Sequence, residues 1–191
     1  MPKLAPEDPR NLEALLVTFG TLDLGIDPDE ITDLLEQSDE EIREAEWDLK
    51  GQFPNGVLKS AEMAILKMAL ALALGYCRRL ARRDEFNPDK GSRAHRNAAL
   101  LLWFWAKANL RSAEPVASQL VDIVTARNSY GHEGRTIALS DAEDFAELVK
   151  QMRADLGDEP IAAYERKMAE IAVARAAHAA QARAERTKGR G

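Results

Sequence analysis

The stretch at 57–83, "VLKSAEMAILKMALALALGYCRRLARR", decides the fold class. Apolar residues run nearly all round a helical projection of it, the mark of a long, largely buried helix. Its most apolar run, "MALALALGYC", is about half the length of a membrane span, so it reads as core and no membrane is expected as a partner. The segment ends in "CRRLARRD", where cations suit the negative end of a helix dipole. Cys77 is the single cysteine. That excludes an internal disulfide and a thiolate cluster for zinc. It reads as a small buried hydrophobe, and a cytoplasmic setting fits. The start, "MPKLAPEDPR", has no hydrophobic region that would read as a signal peptide.

Outward from this helix, helix signals dominate in both directions. Upstream, Asp27, Pro28 and Glu30 offer an N-cap, a proline at the first helical position and an acid in the first turn. A polar, acidic helix to about Lys50 follows, and "GQFPNG" ends it. Downstream, "EFNPDKG" is a loop and Ser92 a cap for the helix carrying "AALLLWFWAKANL". Ser112 is a cap for the next helix, with Pro115 in its first turn. Ser140 and Glu143 have the spacing of a capping box, Gly157 a stop, and Pro160 a new start. The last helix sets Ile161, Tyr164, Met168 and Ile171 on one stripe. Beyond Val173 it is mostly alanine, arginine and glutamate, with helix propensity but little to bury, so a projecting arm is expected. No stretch shows convincing strand alternation. The expected class is all-α: an acidic helical appendage over 1–56, a helical bundle over 57–157 and an alanine-rich helix or arm over 158–191, with four or five helices after residue 57.

Charge is unevenly spread. Residues 1–56 carry 4 Lys/Arg against 15 Asp/Glu, a net −11, whereas 57–191 carry 22 against 17, a net +5. The body can approach a polyanion and the head cannot. One reading is that the head masks a basic cleft; the other is a solvated acidic face. Trp103 and Trp105 lie two positions apart, roughly 200° on a helix. A helix with large apolar groups on opposite sides packs on both, either at a dimer seam or inside a large monomer core.

The chemistry-bearing stretch is 126–134, "ARNSYGHEG", at the end of an apolar helical segment. Asn128 and His132 are four apart and share a face; Arg127 and His132 are five apart and do not in an unbroken helix. Gly131 and Gly134 are expected to let the chain leave the helix near His132 and swing the imidazole toward Arg127. A neutral imidazole takes a proton near pH 7, and a guanidinium binds two phosphate oxygens. Together they suit attack on a phosphodiester by the ribose 2′-hydroxyl, with His132 moving the proton, Arg127 holding the phosphate and Asn128 orienting either. The same residues are also sound helix-stop chemistry. No metal-ligand spacing, glycine-rich phosphate loop or G-x-S-x-G is visible, so no cofactor and no metal are expected. Arg135, Arg79, Arg82 and Arg83 are candidate RNA phosphate contacts. The arginine cluster at 78–83 has an alternative in pairing with the acidic head. His95 reads as a surface or capping residue, Tyr130 as packing.

"ARNSYGHEG" resembles the signature of the HEPN superfamily, R-x(4–6)-H with a polar residue after the arginine. The resemblance extends loosely over 57–157 and closely over 116–156, where an apolar helix, R-N-x-x-x-H, a short connection and a further amphipathic helix follow one another. It implies a helical bundle that dimerises to bring two motifs into one cleft. It implies metal-independent endoribonuclease activity of the kind found in toxin–antitoxin and phage-defence systems, with Arg127 and His132 catalytic and Asn128 supporting. RNA, a second copy of the chain and an antitoxin or defence protein are the implied partners. In the subgroup controlled by a nucleotidyltransferase partner, a tyrosine sits two residues past the histidine; here Gly134 stands there. Some members of the superfamily bind RNA or protein without cleaving.

Overall fold

A computed structural model describes residues 28–76, 93–133 and 136–188. Among them are six helices and no strand: α1 (Pro28–Lys50), α2 (Pro54–Tyr76), α3 (Arg93–Asn109), α4 (Glu114–Glu133), α5 (Leu139–Leu156) and α6 (Glu159–Lys188). The all-α expectation holds. No helix among the described residues is long and apolar enough to cross a membrane.

The near-continuous apolar surface of α2 makes it the axle of the bundle, in contact with each of the other five helices. Its only partly open strip is Lys59, Met63, Lys67 and Leu70. Every other position from Val57 to Gly75 is buried. The small alanines among them let neighbouring helices come close while leucine, isoleucine and methionine fill the gaps. At Gly75 two backbones meet, since a Cβ there would fall 2.3 Å from the Pro160 carbonyl oxygen. There α6 also closes the end of α2: Lys167 donates to the Tyr76 carbonyl at 2.6 Å, and the Tyr76 hydroxyl donates to Glu159.

The acidic α1 lays Ile31, Leu35, Ile42 and Ala45 into the same core. Two of its acids meet cations of α5. Arg153 grips Asp39 with two nitrogens, Nε at 2.9 Å and Nη2 at 3.0 Å, and Lys150 donates to Glu46 at 2.6 Å. Part of the acidic surface is thus matched within the chain. The basic cluster at 78–83, its alternative partner, lies outside the described residues.

Helix boundaries differ from expectation in informative ways. The turn Gly51–Phe53 separates α1 from α2, with Gln52 at φ 58°, and α2 begins at Pro54 rather than 57. The α5 helix begins at Leu139, capped by Ala138 with no side-chain bond, so Ser140 does not serve as N-cap. The start is set instead by Ile137, which is buried and whose N–H is accepted by Asn55 Oδ1 at 3.3 Å. Burial fixed the entry point and overrode local capping preference. Similarly, α4 starts at Glu114, two residues past Ser112, with Pro115 in its first turn as expected. Gly157 does stop α5, at φ 51°, its N–H bonded to the Arg153 carbonyl at 3.1 Å. On α6 the expected stripe of Ile161, Tyr164, Met168 and Ile171 is half-buried, and Ala163 and Lys167 between them are buried.

Trp105 is buried in the core, while Trp103 is half-buried against it. The helix that carries them, α3, lies between α2 and α4. Its two-sided packing is therefore met within one chain.

Candidate functional site

Three buried stripes converge beside α2. On α4, Ala117, Leu120 and Val124 are buried at spacings of three and four, and Arg127 takes the next position in that register. On α3, His95 precedes Ala98, Leu102 and Trp105 in the same way. On α2, Glu62 falls in step with Leu58, Ile65 and Leu72. Each helix thus presents one polar group where its apolar stripe would place a hydrophobe, and the three meet.

The carboxylate of Glu62 is the centre of the cluster. Arg127 Nε forms an ion pair with its Oε2 at 2.8 Å. His95 Nδ1 stands 3.4 Å from Oε1, without the alignment of a hydrogen bond. Glu62 is 2% exposed, whereas the Arg127 side chain is 43% exposed. The guanidinium is therefore anchored at its inner edge and open at its outer one. Burial pushes the Glu62 carboxyl up to about 7, and the pull of Arg127 only partly offsets this. Burial, and then the positive charge of Arg127, holds the His95 imidazole below its ordinary range, so it is neutral near pH 7. A neutral imidazole, a carboxyl poised at neutrality and a fixed cation form an arrangement suited to proton movement next to an anion.

The sequence-derived residues divide clearly. Arg127 is in the cluster. Asn128 and His132 follow on the same helix, but their side chains lie outside the described residues, as do Arg135, Arg79, Arg82 and Arg83 and the buried-hydrophobe reading of Cys77. The helix α4 ends at Glu133, one residue past His132, close to where the glycines were expected to release the chain, and Gly131 lies within its last turn. Positions 127 and 132 lie about 140° apart around the axis of a regular helix. Tyr130 packs against the core, as expected. His95 corrects its reading as a surface or capping residue, because it is buried against Glu62.

Glu62 was missed in the sequence, although a signal exists. It is the only acid in 57–83. It lies about 100° round the helix from the centre of the strip marked by Lys59, Met63 and Lys67. A lone carboxylate on the apolar side of a buried helix requires a partner cation. Among the described residues no group of three or more His, Cys, Asp or Glu side chains is arranged to hold a metal ion. Comparison with protein-family models, curated proteins and solved structures finds no match for this chain.

Proposed function

We propose that the chain is a metal-independent endoribonuclease of HEPN type, acting on RNA as a homodimer in the setting of a bacterial toxin–antitoxin or phage-defence system. The observation that supports it is Arg127, a half-open guanidinium tied from behind to a buried carboxylate, on the helix that also bears Asn128 and His132. A cation so fixed is ready to neutralise the charge that grows on a crowded phosphate. In the reaction, the ribose 2′-oxygen attacks phosphorus and the 5′-oxygen departs, leaving a 2′,3′-cyclic phosphate and a 5′-hydroxyl. His132 takes the 2′-hydroxyl proton or returns one to the leaving oxygen. Arg127 binds the non-bridging oxygens, and Asn128 orients the imidazole or the phosphate. A second copy of the chain brings a second motif alongside, as the resemblance implies.

Because positions 127 and 132 both lie within α4, about 140° apart around its axis, a second reading is a non-catalytic HEPN-like module that binds RNA or a partner protein. The experiment is incubation with mixed RNA in EDTA. Cleavage that falls at least about 100-fold in both Arg127→Ala and His132→Ala supports the nuclease. A mobility shift without fragments supports the binding module, and neither cleavage nor shift removes both.

A further inference from the structure

The site as read from the motif contains no group that fixes the arginine, yet the fold supplies one. We infer that Glu62 is the positioning residue of this site, holding the Arg127 guanidinium by its Nε so that the outer edge meets a phosphodiester. This rests on the nuclease reading above.

Geometry and chemistry support the assignment. A carboxylate that is 2% exposed on the most buried helix of the bundle is a costly feature. Nothing in the packing of α2 requires it, since glutamine, methionine or leucine occupies similar space. Its Oε2 is paired with the Arg127 Nε at 2.8 Å, which holds the inner edge of the guanidinium against α2. An arginine whose Nε is engaged keeps its terminal amino groups for a second anion, and here the side chain is 43% exposed. His95 from α3 stands against the other carboxylate oxygen at 3.4 Å. The carboxylate is thus flanked from two helices, and its own rotamer is restricted by packing. A long, flexible cation becomes a fixed one, the condition for stabilising charge that is present only in the transition state.

The consequence is specific to catalysis rather than to binding. A freed Arg127 still attracts RNA from the surface, so KM changes little, whereas kcat depends on its placement. In Glu62→Gln, which keeps the shape, kcat should fall about 100-fold and KM change less than threefold, while the thermal transition at pH 8 is no lower than that of the parent chain. Glu62→Asp, with a carboxylate one carbon shorter, should recover part of the rate. The Arg127 Nε–H resonance of the full-length chain, identified by its loss in Arg127→Lys, gives a readout independent of turnover. At pH 8 it should lie downfield of the exposed arginines and exchange slowly in the parent chain, and move to their position in Glu62→Gln. If the parent chain cleaves RNA and Glu62→Gln cleaves at the same rate, or if the resonance is the same in both, the assignment of Glu62 is overturned and the nuclease stands. If the resonance shifts as stated but the parent chain does not cleave, the nuclease reading fails and Glu62 still positions the arginine.

Discussion

Alanine is abundant in both α2 and the outer half of α6, and its fate is opposite in the two. Ala61, Ala64, Ala69, Ala71 and Ala73 are fully buried, while every described side chain from 172 to 183 is exposed. Helix propensity does not separate them, because both are good helix formers. What differs is the company. In α2 the alanines alternate with Leu58, Ile65, Leu66, Met68, Leu72 and Leu74, so close approach by a neighbour is rewarded by buried area. In α6 beyond Ile171 the only large apolar residue is Val173, 70% exposed, and the rest are alanines and polar groups. Alanine permits a helix interface; larger neighbours make one worth forming.

The sharpest way to break this contrast is Leu72→Ala. That change makes a segment of α2 resemble the arm while leaving propensity intact. It should cost about 2–5 kcal/mol in urea denaturation, and a loss under 1 kcal/mol would mean the axle is poorly packed. Next in size is Glu62, the one buried charged residue of α2. The folded chain holds a proton on Glu62 up to about pH 7, whereas the unfolded chain releases it near the ordinary 4.5. Stability from this group is therefore lost as pH rises from about 4.5 to 7, by about 3 kcal/mol, and is level above that. His95, with its pKa lowered, acts in the opposite sense: the unfolded chain gains its proton more readily as pH falls below 6.5. Comparing Glu62→Gln with the parent chain isolates the first effect. The variant should gain ground steadily between pH 5 and pH 8 in urea melts, and parallel curves would show that the carboxyl is not desolvated. The smallest effect belongs to the arm. Truncation after Ile171 should change the unfolding free energy by less than about 0.5 kcal/mol, and a larger loss would reveal packing on a surface that is open in this structure.

The same contrast explains what could be read in advance. The class, the buried helix over most of 57–76 and the projecting arm were legible because hydrophobic periodicity over many residues reports burial directly. Starts of helices were less so. Ser140 and Ser112 carried the right side chains for caps, but α5 and α4 begin where Ile137 and the buried stripe of α4 need them. Arg127 was found by its motif. Glu62 escapes notice and His95 reads as a surface or capping residue because each belongs to a helix other than that of the motif, 65 and 32 positions away from Arg127 in the chain. No local pattern joins three residues on three helices. Only the packing of α2, α3 and α4 does. The end of α4 at Glu133 was legible to within a residue or two from Gly131 and Gly134.

The crossing at Gly75 has a consequence for how this chain varies. With the Pro160 carbonyl 2.3 Å from where any first side-chain carbon would sit, the backbones themselves are in contact. A saturation library at this position should return glycine alone among well-folded clones, even though the neighbours on either side, Leu74 and Tyr76, accept exchange for other residues of similar bulk. Among diverging copies of this gene, that one unvarying letter would mark the joint by which the terminal helix stays attached.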